Sequence, residues 1–232
     1  MDLVKSLNIL ALDSAVSACS VAISANNNVC AARFELMERG QAEALAPMVA
    51  MVVEEARQTI PRGFGDLDAV AVTIGPGTFT GIRIGLAMAK AIALPRKIPV
   101  LGLSTFDAIR FGIDQTNTPL MAVIETKRDD FYLQMFDRTG TAMTKAAVLS
   151  AAEALSVLPA GPIVAVGDGA GRLGRMLAAK GYSGFRIAAE APPIAENFIG
   201  LAVERFHLKE FEAPTPIYLK APSVTVPPNR SA

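Results

Sequence analysis

The sequence has 232 residues, of which 51% are hydrophobic, and its 22 Lys and Arg residues balance its 22 Asp and Glu residues. This composition can fill a globular core, which excludes a chain that is disordered along most of its length. A net charge of zero provides no long-range attraction to nucleic acid or to an anionic membrane, and it argues against a chain that binds nucleic acid alone.

The lengths of the apolar runs and the few cysteine and histidine residues exclude further classes of protein. The first apolar run, residues 7–12, is too short for a signal peptide, and no later run reaches membrane-spanning length, so we expect a cytoplasmic protein without membrane contact. Cys19 and Cys30 fall in predicted strands without metal-ligand spacing and are interpreted as reduced thiols. A single histidine, His207, leaves no basis for a His-Glu-x-x-His zinc site or a Ser/His/Asp triad.

The first half of the chain predicts a meander of three strands followed by alternating helices and strands. The strands are expected at residues 7–12, 19–25 and 29–34. After them come a helix at 41–59, a strand at 69–74, a helix at 80–94, a strand at 99–103 and a helix that begins at 104 or 105. Pro47 either lies near the first turn of its helix or kinks that helix, because it has no N–H to donate.

The second half repeats this order of elements. Strands are expected at 120–125, 130–136 and near 143–149, followed by a helix at 151–158, a strand at 163–166, and helices at 171–179 and 194–208. This order predicts an α/β protein of the actin-like or ribonuclease-H-like class, with two lobes that each hold a mixed sheet flanked by helices. The predicted division is 1–105 for the first lobe, 106–220 for the second, and 221–232 for an extended or disordered Pro-rich tail.

A glycine-rich run connects the strand at 69–74 to the next helix. Its residues 75–85 read Gly-Pro-Gly-Thr-Phe-Thr-Gly-Ile-Arg-Ile-Gly, with Thr78 or Thr80 as the helix cap and Gly81 and Gly85 on one helix face. A phosphate-binding loop of the Walker type would need a Lys-Ser/Thr pair where Ile82 and Arg83 stand. Two interpretations remain open: a face for close packing of the helix on its own sheet, or a functional surface.

Two further segments are candidates for nucleotide binding. Asp13 ends the first strand, where a carboxylate can hold a magnesium ion, although the turn after it contains no glycine. The alternative is a structural aspartate that caps this turn. Gly167, Asp168 and Gly169 follow an apolar strand and form a second candidate phosphate loop.

Taken together, several motifs resemble the TsaB (YeaZ) family. They are Asp13-Ser14 after the first strand, the run 75–85, the Lys-Arg-Asp-Asp-Phe-Tyr segment 127–132 and the Pro-Ile-Tyr-Leu-Lys segment 216–220. The resemblance implies an actin-like fold and a role in forming threonylcarbamoyladenosine beside the tRNA anticodon. It further implies a non-catalytic partner of the paralogue TsaD, in an assembly that the ATPase TsaE joins and that uses ATP and magnesium.

The same resemblance implies no catalytic residue, no metal site and no cofactor held by this chain, and contact with tRNA only through the complex. Two positions depart from the family pattern. The first helix opens with Gln41-Ala42-Glu43 where the family often has His-Ser-Glu, and the first turn has Asp13-Ser14-Ala15 in place of Asp-Thr-Ser. Neither change removes a known catalytic group.

The two nearly all-apolar helices, 41–59 and 80–94, either lie inside the fold or form an interface. The hypothesis is that they bind a TsaD-like partner, and a second copy of the chain when alone, through Leu45, Met48, Val49, Val52, Gly81, Arg83, Gly85, Met88 and Ala89. Arg83 bonds either a loop carbonyl in its own chain or a carboxylate across the interface. The alternative function is an independent actin-fold ATPase or small-molecule kinase that uses Asp13 and the loop 167–169.

Overall fold

The computed structural model describes residues 6–111, 113, 118–210 and 212–220, and within these residues the strands form two five-stranded sheets. The strands of the first sheet are β1 (Ile9–Asp13), β2 (Ala18–Ala25), β3 (Asn28–Leu36), β4 (Ala69–Gly75) and β5 (Val100–Ser104). Their order is β3-β2-β1-β4-β5. The sheet is mixed, because β1 is antiparallel to β2 and parallel to β4.

The second sheet repeats this arrangement. Its strands are β6 (Leu120–Glu125), β7 (Asp130–Phe136), β8 (Ala147–Ser150), β9 (Ile163–Val166) and β10 (Phe185–Ala189), in the order β10-β9-β6-β7-β8. β6 pairs antiparallel with β7 and parallel with β9, as β1 does with β2 and β4. The two-lobed, actin-like prediction and the repeat of elements are therefore confirmed. β10 was missed because its three central residues are exposed and no apolar run marks it.

The helices of the described residues are α1 (Gln41–Glu55), α2 (Phe79–Ala93), α3 (Thr105–Phe111), α4 (Ala151–Val157), α5 (Ala170–Ala178) and α6 (Ala195–Leu208). The first predicted helix is shorter than expected, since the α-helical part ends at Glu55 and a 3-10 turn continues it over Ala56–Gln58. Pro47 lies beyond the first turn, in the interior of α1. None of the helices in the described part of the chain combines the length and the apolar composition that crossing a membrane requires.

Helices cover both faces of the first sheet. Side chains alternate along β1, so Leu10 and Leu12 join the core beneath α1 and α2, whereas Ile9 and Ala11 join the core beneath α6. The last helix therefore packs on the first sheet, which the predicted division at residues 106–220 did not anticipate. Helical periodicity shows which face of a helix is apolar but not which sheet that face covers.

After α6 the chain returns along the first lobe as a segment that we call the C-terminal strap, residues 212–220. Gly102 and Glu212 exchange two backbone hydrogen bonds of 3.1 and 3.3 Å. The Ile217 N–H donates to the Ile74 carbonyl at 2.7 Å, and Lys220 forms an ion pair with Asp130 at the start of β7. The strap therefore touches both lobes. The predicted tail, 221–232, lies outside the described residues.

The glycine face of α2 packs against its own chain. A methyl group at Gly81 would overlap the carbonyl oxygen of Ser14, and one at Gly85 would lie 2.9 Å from the Ser14 hydroxyl. That hydroxyl donates to the Gly81 carbonyl at 2.9 Å, and Thr78 caps the helix by accepting from the Gly81 N–H at 3.1 Å. These contacts agree with the close-packing interpretation, and Gly81 and Gly85 are buried against their own chain rather than exposed on the surface predicted for a partner.

We expect Gly81→Ala to destabilise the chain by at least about 2 kcal/mol, because the added methyl meets backbone that cannot turn aside. Gly174→Ala in α5 is the control, since its methyl would meet only side chains, the Phe185 ring at 3.1 Å and Ile187 at 3.5 Å, and should cost less than about 1 kcal/mol. Urea unfolding of both variants measures the difference. Equal midpoints for the two variants would contradict this account of α2 packing.

Candidate functional site

The two candidate nucleotide segments meet where the lobes face each other, at a place we call the lobe junction. Asp168, which follows β9, accepts a hydrogen bond from the Glu125 N–H at 3.0 Å within its own lobe. Its other carboxylate oxygen accepts from the Ser17 hydroxyl of the first lobe at 3.0 Å. Asp168 therefore ties the turn after β1 to the end of β6, and burial raises the pKa of its carboxyl.

Asp13 lies behind this contact and is fully buried. Its Oδ1 accepts from the Thr73 hydroxyl and from the Ala15 N–H, whereas its Oδ2 has no hydrogen-bond partner among the described residues. Burial raises the pKa of this carboxyl to about 7, and the charge of nearby Asp168 adds to the shift. The bond from Ala15 is the turn cap that the structural interpretation of Asp13 predicted.

The glycines of the second candidate loop pack against β6. A methyl at Gly167, where φ is +110°, would overlap the Val123 carbonyl oxygen, and one at Gly169 would lie 2.9 Å from the Val123 side chain. A cavity at the lobe junction measures about 110 Å³ and is lined in part by Ser17, Thr78 and Asp168. Pockets that enclose drug-sized ligands are typically about 300–1,000 Å³.

The β6–β7 hairpin carries a further polar cluster at the edge of this cavity. Arg172 holds Glu125 through two bonds of 2.6 and 2.7 Å and lies 4.0 Å above the Phe131 ring. Burial acts to raise the pKa of Glu125, but the hydrogen bonds from Arg172 and the charge of Arg172 help to outweigh it, and the pKa is lowered. At the hairpin tip, Lys127 lies 3.3 Å from Glu38 of the first lobe. The sequence shows that this tip is charged but does not identify its partner across the junction.

Most of the predicted interface side chains lie inside the chain. The predicted interface side chains of α1 point into the core of the first lobe, and so does Ala89 of α2. Met88 of α2 is half-buried against the same core. The prediction that these side chains form the contact surface is therefore corrected by their burial. The buried members are Leu45, Met48, Val49, Val52 and Ala89.

The opposite sides of α1 and α2 are exposed. The two helices pack side by side on one face of the first sheet, so their outer sides face solvent in the same direction. We call this area the helix surface, and its central residues are Ala46, Ala50, Met51, Ala87 and Ala91. Small residues four positions apart, opposite the large apolar side chains, are the sequence signal that could have located it.

Arg83 is the one predicted interface residue that is exposed. Its Nε donates to the hydroxyl of Tyr218 in the C-terminal strap at 3.0 Å. This contact lies within the chain, and its acceptor is neither of the two expected from the sequence, a loop carbonyl or a carboxylate across an interface. The pairing joins the run 75–85 to the segment 216–220, which lie far apart in sequence.

The fold and the junction define the class of this protein: an actin-like, two-lobed chain whose lobes are joined by their own polar side chains. Comparison with known proteins agrees. The family model described as TsaD, tRNA N6-adenosine threonylcarbamoyltransferase, matches residues 35–206. YeaZ from Pseudomonas aeruginosa has a TM-score of 0.77 and 27% sequence identity, with 92% of this chain and 100% of that one covered.

Similar curated proteins support the same family assignment. The tRNA threonylcarbamoyladenosine biosynthesis protein TsaB of Escherichia coli is 34% identical over 57% of this chain, and the alignment spans only 56% of its own length. An uncharacterized protein of Mycobacterium bovis is 33% identical over 68% of this chain and 74% of its own length. The chain belongs to the family of the matching model and, within it, to the TsaB (YeaZ) group.

The raised pKa of Asp13 predicts how stability depends on pH. The unfolded chain loses this proton near pH 3.8, whereas the folded chain keeps it to about pH 7. The free energy of unfolding should therefore fall as the pH rises from about 4 to about 7, by up to about 4 kcal/mol. Asp13→Asn cannot ionise, so we expect it to reduce this decline and to be more stable than wild type at pH 8.

Asp137→Asn is the control, because Asp137 is only partly buried and its lowered pKa places its titration below this range. Chemical denaturation of the three proteins from pH 4 to 8 makes the measurement. Burial also raises the pKa of Asp168, which leaves a smaller decline in the Asp13→Asn variant. A decline as steep as that of wild type would contradict the assignment.

Proposed function

We propose that this chain takes part in the biosynthesis of threonylcarbamoyladenosine on tRNA, as a non-catalytic partner that binds and activates a TsaD-like enzyme. Membership of the TsaB group supports the pathway. The observation that carries the non-catalytic role is the hydrogen bond between Ser17 and Asp168, which joins the lobes across the position where an actin-like enzyme would hold its nucleotide.

The surroundings of that bond support the same role. A nucleotide site needs backbone N–H groups that a phosphate can approach and a carboxylate that reaches a magnesium ion. Here Gly167 and Gly169 are pressed against Val123, and the Asp13 carboxyl has no exposed surface. A nucleotide would have to separate the lobes and break the contact between Ser17 and Asp168 before it could enter.

The helix surface is the proposed site of contact with the enzyme. Its alanines allow a second pair of helices to approach closely, and Met51, which is 49% exposed, supplies a flexible apolar contact. α1 and α2 are thus the two helices of the original hypothesis, but their outer sides replace the buried residues as the contact. In the absence of the enzyme, the same surface would pair two copies of the chain as a homodimer.

In this proposal the rest of the reaction belongs to the assembly. A TsaE-like ATPase joins the complex, ATP and magnesium are used by the wider complex, and tRNA is bound only through it. The net charge of zero supports this division, because affinity for tRNA rests largely on basic residues that neutralise phosphates.

Ala87→Arg tests the helix surface. The long charged side chain should keep α2 helical but block close helix packing, and we expect at least a tenfold loss of affinity for the TsaD-like protein of the same organism, about 1.4 kcal/mol. Ala178→Arg, an exposed alanine at the end of α5, is the matched control and should bind like wild type. Calorimetric titration measures affinity, and sedimentation velocity measures self-association.

Three outcomes of this experiment are informative. If Ala87→Arg loses binding while Ala178→Arg does not, and thermal unfolding is unchanged, the helix surface is supported as the site of contact with the enzyme. Equal binding by both variants would move the contact elsewhere on the chain. A wild-type chain that does not bind the enzyme at all would overturn the partner role itself.

Titration with ATP and magnesium separates this proposal from an independent ATPase or kinase. We expect no stoichiometric binding at micromolar concentrations by the isolated chain, because the lobe junction is occupied by its own side chains. Tight binding that Asp13→Ala weakens would instead favour the enzyme.

A further inference from the structure

Arg83 lies on the exposed side of α2, at the edge of the helix surface. It precedes Ala87 by four residues, and residues four apart on a helix lie on the same side. A partner that covers Ala87 would therefore also come close to Arg83. The sequence of α2 contains Arg83 and Lys90 but no acidic residue, so the helix offers only positive charge to that partner.

Aromatic side chains hold the Arg83 guanidinium in place. It lies 3.7 Å above the centre of the Phe79 ring, and its Nε donates to the Tyr218 hydroxyl at 3.0 Å. The rings of Phe79 and Tyr218 are themselves in contact, with centroids 4.9 Å apart and an angle of 31°. One face and one edge of the guanidinium are thus fixed before any partner arrives.

The C-terminal strap keeps Tyr218 at this position. On one side of it, the Ile217 N–H is bonded to the Ile74 carbonyl, and on the other, Lys220 is paired with Asp130 of the second lobe. Gly75 allows this close approach, since a side chain there would come within 2.5 Å of the Ile217 carbonyl oxygen. The position of Tyr218 is therefore fixed by neighbouring contacts of the strap with both lobes.

The two terminal amino groups of Arg83 make no hydrogen bond to any described residue, and no described carboxylate pairs with Arg83. Several other arginines of the described chain are paired with a carboxylate of their own chain: Arg33, Arg57, Arg62, Arg110, Arg172 and Arg205. Arg83 differs from these in having an oriented guanidinium whose outer edge is unpaired. A planar carboxylate fits that edge with two parallel hydrogen bonds.

We propose that Arg83 binds a carboxylate side chain of the TsaD-like partner through its two terminal amino groups, and that Tyr218 is the residue that positions it. This inference rests on the proposed function and adds to it a specific polar contact beside the apolar helix surface. The orientation is set in advance, so little side-chain freedom is lost on binding. The run 75–85 and the segment 216–220 thereby act together in one partner contact.

Affinity measurements on the full chain and the TsaD-like protein test this contact. Arg83→Lys keeps the charge but loses the planar edge, and we expect at least about tenfold weaker binding. Tyr218→Phe keeps the ring but releases Nε, with an expected loss of about threefold to fivefold. The double variant should bind like Arg83→Lys alone, because Tyr218 acts through Arg83. Arg175→Lys, an exposed arginine of α5, is the control and should stay within twofold of wild type.

The outcomes separate this inference from the proposed function. If wild type binds the enzyme and Arg83→Lys binds within twofold of it, the contact is wrong while the partner role stands. If Arg83→Lys weakens only self-association, the carboxylate belongs to a second copy of this chain and the proposal fails. If wild type does not bind the enzyme, both proposals fail. Restored binding between Arg83→Glu and a partner variant in which one surface carboxylate becomes lysine would identify the paired residue.

Discussion

The packing of α2 on the turn after β1 is the contact on which the rest of the structure depends. The Ser14 carbonyl occupies the space of a side chain at Gly81, and its hydroxyl bonds the carbonyl of the same glycine. This brings α2 down onto the sheet, where it shares a core with α1, and leaves the outer sides of both helices exposed together. The glycine run 75–85 thus allows α2 to pack closely on the sheet. The proposed partner surface depends on this close packing, because it places the outer sides of α1 and α2 next to each other.

Polar ties between the lobes complete this arrangement. Ser17 bonds Asp168, Lys127 pairs with Glu38, and the strap links Ile74 of the first lobe to Asp130 of the second. The side chains of the first two ties line the cavity at the lobe junction. The ties also connect α2 to the second lobe, because Tyr218 of the strap contacts Arg83. A partner bound on α2 would therefore touch a chain whose lobes are already held together.

Much of the fold could be predicted from the sequence, and the site only in part. The strands at 120–125, 130–136 and 163–166 match the structure residue for residue, because each is a short apolar or alternating run bounded by turn residues. β10 was missed because its exposed edge residues lack such a pattern. The interface prediction named side chains of α1 and α2 that lie mostly in the core, since Leu45 and Val52 satisfy the pattern of a core and of an interface equally well.

The sequence by itself determined the order of elements, the two-lobed repeat and the family, because these depend on local periodicity and on the rare run 75–85. Only the tertiary structure decided which side of α1 and α2 is free, which lobe receives α6, and what Arg83 contacts. The physical reason is distance along the chain: Ser14 meets Gly81 and Arg83 meets Tyr218 across 67 and 135 residues. Local patterns state that a side chain is apolar or charged, but only the folded chain selects its partner.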